Sequence, residues 1–195
     1  GAVDPFLGAV GELLALPHRQ LALDGVDELA AGVERLAAVL AGHGADILTG
    51  GVGNDVLEGR SGADTYWFER GDGQDVIDDR ETADGAKRDR IRFGAGVAPA
   101  DIRFLSVGPR DVVIGIAGTN DRITIRDMLV DRGVEEIAFA DGTVWALADI
   151  RARMGEGTAG EDRIDLGTWQ DLAVTLKGGK GDDRLAGGLG DDTYR

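Results

Sequence analysis

The sequence predicts a mainly β chain. It is assembled from nine-residue units, each a glycine turn followed by a very short strand. A β-rich stretch without repeats separates two runs of units, and a helical segment precedes them. Three observations carry this. Within residues 41–78 and 157–195 an aspartate seven times has a glycine two residues before it and a large apolar residue two after it. The triplets are Gly44/Asp46/Leu48, Gly53/Asp55/Leu57, Gly62/Asp64/Tyr66, Gly73/Asp75/Ile77, Gly160/Asp162/Ile164, Gly181/Asp183/Leu185 and Gly190/Asp192/Tyr194. Asp46, Asp55 and Asp64 follow one another at intervals of nine, as do Asp183 and Asp192. Glycine makes up 32 of the 195 residues and is concentrated in these runs. A glycine-rich turn brings main chain close to whatever the turn encloses. The apolar residue two positions past the aspartate points, as a strand residue does, to one face.

One unit, Gly50-Gly51-Val52-Gly53-Asn54-Asp55-Val56-Leu57-Glu58, fits the nonapeptide G-G-x-G-x-D-x-U-x at every fixed position, U being a large apolar residue. Through this motif the chain resembles the RTX haemolysin-type calcium-binding repeat family of bacterial proteins. The resemblance implies a parallel β-roll. Two nonapeptides make one coil, coils stack, and each calcium ion lies between the turns of repeats n and n+2. The chemistry agrees with the composition of the unit. Calcium takes six to eight oxygen ligands from carboxylates and carbonyls, which aspartates and glycine turns supply.

The first run divides into repeats 41–49, 50–58, 59–67 and, after the insertion Phe68-Glu69, 70–78. Asp46 is expected to share an ion with Asp64, and Asp55 with Asp75. The expected metal residues of this run are completed by the turn glycines Gly42, Gly44, Gly51, Gly53, Gly59, Gly62, Gly71 and Gly73. Ala41 and Arg70 stand where the motif has its first glycine, and Arg60 and Thr158 where it has its second.

Residues 1–40 are expected to form a helical cap or linker. Leu7, Val10, Leu13 and Leu14 make one helical stripe up to Pro17, and Val26, Leu29, Val33, Leu36 and Leu40 make a second. Asp24 or Asp27 can cap the second helix. The stripes have only Arg19 and Arg35 near them, fewer basic residues than an interfacial helix carries. A cap over the open end of the roll is the expected role.

Residues 79–156 read as a β-rich flank that caps one roll and links to the next. Period-two strand signals occupy 90–93, 102–107, 112–116, 122–126 and 137–139, with turn residues at 108–111, 118–121 and 140–143. A short helix is expected over 146–154. The segments around 70–77, 89–94 and 136–145 resemble the non-repeat stretch that follows RTX repeats.

Residues 157–195 restart the array as a second, incomplete block, with repeats at 157–165, 178–186 and 187–195. The stretch 169–177 has Leu176 in phase but Val174 in place of the aspartate. If it counts as a unit, Asp162 and Asp183 become n and n+2 partners. Gly179 and Gly181 join them as expected metal residues. Asp192 is also a motif aspartate, but no later coil follows it before Arg195. The stretch 178–195 is therefore expected to be frayed, or ordered only by contact with a second molecule, and the chain to be a piece of a longer protein.

Composition narrows the function classes. Net charge is −15, with 36 acidic residues against 21 basic, which excludes a nucleic-acid surface as the basis of function. With no cysteine there is no disulfide framework. No constellation for catalysis is present: His18 and His43 are isolated, Ser61 and Ser106 lack a base, and no H-E-x-x-H occurs. Asp4-Pro5 reads as a helix start rather than a self-cleavage site. The expected function is a non-enzymatic calcium-binding module that folds on export into calcium-rich medium. The family resemblance implies a secreted bacterial location and an unfolded chain handled by a type I secretion machinery. It implies a parent toxin, for which the module aids secretion or binds a host-cell receptor. The alternatives are the calcium-binding region of a secreted protease or lipase, or of an adhesin, with the activity upstream.

Overall fold

The computed structural model describes residues 20–22, 38–79, 88–107, 110–128, 133–166 and 173–195. Short strands dominate it. In the first run they are β1 (Gln20–Ala22), β2 (Ala38–Leu40), β3 (Ile47–Thr49), β4 (Val56–Glu58), β5 (Thr65–Phe68) and β6 (Gln74–Ile77). The non-repeat stretch adds β7 (Asp89–Phe93), β8 (Ile102–Val107), β9 (Val112–Ile116), β10 (Arg122–Ile125), β11 (Val134–Ala138), β12 (Val144–Ala146) and helix α1 (Leu147–Met154). The last part holds β13 (Arg163–Asp165), β14 (Thr175–Leu176), β15 (Arg184–Ala186) and β16 (Thr193–Tyr194).

Strands β1 to β7 alternate between two sheets, as a roll requires, while β14 and β16 form a separate two-stranded sheet. One sheet runs β1-β3-β5-β7-β11-β12 and the other β15-β13-β8-β9-β10-β6-β4-β2. Each repeat strand pairs in parallel with the strand two units away: Ile47 opposes Thr65, and Val56 opposes Val76. The strand residues expected to point inward do so: Leu48, Leu57, Tyr66 and Ile77 have no solvent-exposed surface. Burying such side chains stabilises by about 1.5–3 kcal/mol each. Strands of three or four residues have few of them, so each coil has little apolar surface with which to offset its ordering entropy.

The non-repeat stretch continues the same two sheets. β7 lies in parallel on β5, with Tyr66 opposite Ile91, and β10 lies in parallel on β6, with Val76 opposite Thr124. β8, β9 and β10 form an antiparallel meander, and β11 and β12 a hairpin closed by the turn at 139–143. A row of rings, Phe68, Phe93, Phe139 and Trp145, carries the core from the last repeats to α1, with successive centroids 6.4, 5.5 and 4.9 Å apart. The expected helix is α1, whose Ile150 and Met154 are buried. β13 joins β8 through Ile164 and Val107, so the second run extends the eight-stranded sheet.

Two expectations need correction. Gln20–Ala22 and Ala38–Leu40, read as helical, are strands on the edges of the two sheets. Ala38–Leu40 is in phase with the repeats: Val39 is buried opposite Leu57, like the apolar residue of one further unit. The parallel edge offers main-chain partners that outweigh a weak helical stripe. The remaining positions of those helices lie outside the described residues. The second correction concerns 178–195. β15 pairs with β13 and β16 with β14 inside the same chain, so no second molecule is needed for those strands. Leu176 opposes Tyr194, so the stretch ending at Lys177 does count as a unit.

Candidate metal centre

The motif aspartates form ladders. The Asp46 amide donates to Asp64 Oδ1 at 2.8 Å, and the Asp55 amide to Asp75 Oδ1 at 2.9 Å. On the second run the Asp162 amide donates to Asp183 Oδ1 at 3.1 Å, and the Val174 amide to Asp192 Oδ1 at 3.1 Å. Each carboxylate thus reaches back to the main chain of the unit two earlier. Asp46, Asp55, Asp64 and Asp75 are all buried. Asp46 Oδ2 is buried and accepts no hydrogen bond. Leaving a charged oxygen so is costly unless a cation meets it.

Glycine shapes the turns around these carboxylates in two ways. At the second motif position Gly51, Gly71 and Gly179 have φ of 74°, 100° and 93°, and Arg60 follows them with a left-handed φ of 68°. At the fourth position the turns touch: a Cβ on Gly62 would sit 1.4 Å from the Gly44 carbonyl oxygen, and one on Gly73 would sit 2.0 Å from that of Gly53. Gly181 stacks on Gly160 in the same manner. Gly42 faces open space. Gly59 stands against the carboxylate of its own repeat, where a Cβ would lie 2.4 Å from Asp64 Oδ2. Sequence reading missed that Gly50, Gly178 and Gly187 do the same for Asp55, Asp183 and Asp192. Their place as first residues of the motif is the signal.

Thr158 builds a different turn. Its amide and hydroxyl both donate to Asp162, at 2.7 Å to Oδ2 and 3.1 Å to Oδ1. The hydroxyl also accepts from the Gly160 amide. A threonine hydroxyl thus organises the loop where other repeats rely on a left-handed glycine.

The first ladder does not stop at the last repeat. The Asp64 amide donates to Asp89 Oδ1 at 2.7 Å, and the Asp89 amide to Glu135 Oε2 at 2.7 Å. Asp89-Arg90-Ile91 has the aspartate and apolar residue of the motif without its glycine, a signal that sequence reading passed over. Glu135 has none; it lies where the β7–β11 register shifts. Oxygens of Asp64, Asp79 and Asp89 come within 4.8 Å of one another, all three buried. Tyr66 closes this corner, its hydroxyl donating to Asp79 Oδ2 at 2.5 Å and accepting from the Gly59 amide.

Burial dominates the electrostatics. It pushes the Asp75 carboxyl up to about 7, against the hydrogen bond from the Asp55 amide and with the Asp55, Asp72 and Asp121 charges adding to it. It pushes Asp89 up to about 8, with the charges of Asp79, Asp64 and Glu135 adding. Burial, and then Asp79, raises Tyr66 well above the usual phenol value. Crowded, dehydrated carboxylates beside stacked carbonyls suit a hard divalent cation that takes oxygen ligands.

Two family models match these segments. One, the RTX calcium-binding nonapeptide repeat in four copies, covers residues 40–77 and 173–194. The chain carries RTX calcium-binding repeats. The other, the haemolysin-type calcium binding protein related domain, covers residues 111–149, within the non-repeat stretch. These RTX repeats bind calcium at multiple sites. No curated protein matches the chain. Among solved structures, the extracellular lipase LipA from Serratia marcescens is similar at a TM-score of 0.44 and 18% identity, over 89% of this RTX chain and 29% of the lipase. The RTX chain therefore spans less than a third of that protein's length.

Proposed function

We propose that the chain is a calcium-responsive folding module of a secreted bacterial protein. Its ions are held by the pairs Asp46/Asp64, Asp55/Asp75 and Asp162/Asp183, with carbonyls of the glycine turns completing each set. Asp192 faces Val174, which has no carboxylate, and holds an ion more weakly. The observation that carries this reading is the buried Asp46 carboxylate, one oxygen of which has no hydrogen-bond partner within a turn stacked on that of Asp64. Calcium supplies the missing positive charge.

Metal affinity then becomes folding free energy. Short coils bury little apolar surface, and their aspartates repel one another. In a calcium-poor cytosol the chain stays open, in the form a type I secretion machinery handles. Outside, calcium near 10⁻³ M folds it if the sites fall in the extracellular range of about 10⁻⁴–10⁻³ M. The haemolysin-type description of the family matched over residues 111–149 supports a toxin as the parent protein, with receptor contact made by the folded form.

Circular dichroism during calcium titration tests the switch. Millimolar calcium is expected to raise the β signal, and equal magnesium to leave it unchanged, because magnesium demands tight octahedral geometry and keeps its waters. A calcium-free spectrum identical to the calcium-loaded one overturns the proposal.

A further inference from the structure

Arg70 occupies the first position of the fourth repeat, where Gly50, Gly59, Gly178 and Gly187 stand in others. By the motif it is a defect. In the structure its guanidinium reaches three separate turns of the non-repeat stretch. Nε donates to the Gly96 carbonyl, Nη1 to the Ala117 carbonyl and Nη2 to Asp101 Oδ2, each at 2.8 Å. Gly96 and Gly118 lie beside it: a Cβ on either would make only ordinary contact with the Arg70 side chain, at 3.5 and 3.9 Å. A planar fork with fixed donor directions suits three acceptors in three places. A glycine has no donor to offer there, and a lysine is a compact point charge.

The turn that Arg70 begins is gripped twice more by the same stretch. The Gly71 amide donates to Asp121 Oδ2 at 2.7 Å, and the Gly73 carbonyl accepts from the Arg122 amide at 2.8 Å. Five residues after Arg70 comes Asp75, whose carboxylate takes the Asp55 amide. A short piece of main chain therefore runs from the three flank turns to a ladder aspartate.

We propose that Arg70 is a positioning residue through which the stretch 88–128 sets the calcium response of repeats 41–78. The inference rests on the reading that those repeats fold around calcium. Arg70 touches no ion. It holds the fourth turn in the conformation that aims Asp75, and it makes repeats and flank order together. The arm to Asp101 is the lesser part, since a half-exposed ion pair contributes little. The two carbonyl contacts fix the geometry.

Hydrogen exchange across a calcium titration, with peptides from 41–78 and 88–128 followed separately, tests this in the full chain. In the native sequence both groups are expected to gain protection in one transition. Arg70→Gly restores the motif, yet is expected to raise the calcium needed by 41–78 roughly tenfold, from the loss of three hydrogen bonds. It is also expected to split the transition in two, whereas general destabilisation moves a single transition without splitting it. Arg70→Lys is expected to fall between, and Asp101→Asn to shift the midpoint less than about threefold. Arg70→Gly with a single transition at the native or a lower calcium concentration overturns the proposal. If Arg70→Gly gains no protection at any calcium level, Arg70→Lys decides: a split transition supports the role, and native behaviour overturns it. Absence of calcium-dependent protection in the native chain refutes instead the reading of 41–78 on which the inference rests.

Discussion

Asp64 Oδ1 lies 2.8 Å from the backbone nitrogen of Asp46, 18 residues earlier, while the Asp64 amide donates to Asp89 Oδ1 at 2.7 Å. One residue is thus acceptor to the unit two before it and donor to the aspartate of the strand that follows in the same sheet. The carboxylates proposed to hold calcium also set the stacking of the main chain. Substitutions in the ladder are therefore felt in both affinity and register.

Asp64→Ala and Asp72→Ala separate ladder from turn. Asp64→Ala removes a proposed ligand and leaves the buried Asp46 amide without its acceptor, a cost of about 1–3 kcal/mol on top of the lost ion. Asp72→Ala removes an acceptor of the Glu69 amide at the exposed end of the insertion. Calorimetric calcium titration is expected to show one fewer ion for Asp64→Ala and an unchanged count for Asp72→Ala. Equal losses would mean that the ladder is assigned to the wrong aspartates.

Acid is expected to replace calcium in part. Asp75 and Asp89 have folded-state values of about 7 and 8, raised by burial above the ordinary 3.8. Between about pH 4 and 7–8 the folded chain therefore binds more protons than the unfolded one, and stability falls as pH rises. Without calcium, the folded fraction, read as the β signal in circular dichroism, is expected to be higher at pH 5.5 than at pH 8. Calcium affinity is expected to move the opposite way, because the ion competes with those protons. A calcium-free β signal that rises with pH across this window would show that these carboxyls are already ionised in the fold.

Arg60 has φ of 68° where neighbouring repeats have glycine. A left-handed non-glycine residue costs about 1–2 kcal/mol. Glycine gives back about 0.4–1 kcal/mol through unfolded-chain entropy. Arg60→Gly is expected to stabilise the calcium-loaded form by up to about 1 kcal/mol, read as a higher urea midpoint with an unchanged slope. A lower midpoint would mean that the Arg60 side chain contributes more than its backbone costs.

Gly62→Ala probes the opposite case. Its Cβ would lie 1.4 Å from the Gly44 carbonyl oxygen, at a φ of 154°. The stacked turns must separate to admit it, and both flank the Asp46/Asp64 pair. The loss is expected to be on the order of 3 kcal/mol or more. Gly42→Ala, facing open space, is expected to cost under about 1 kcal/mol. Thermal melts of the calcium-loaded variants compare the two directly.

The repeat itself was legible in the sequence. A nine-residue period fixes a turn and a strand in each unit, so it also fixes that Leu48, Leu57, Tyr66 and Ile77 face inward and that Asp46 meets Asp64. These are consequences of local geometry repeated in phase. The meander strands and α1 were legible too, through alternation and turn residues. Tertiary structure alone decided the rest. Gln20–Ala22 and Ala38–Leu40 are too short to distinguish a period of 2 from one of 3.6, and the open sheet edges made them strands. Asp79 and Glu135 enter the acidic corner from positions with no motif around them, and Asp89 keeps only half of the motif. Arg70 looks like an error until the turns of 94–97, 99–101 and 116–119 surround it. What joins these residues is parallel pairing between segments far apart in the chain, and a local pattern carries no record of which distant strand will lie beside it.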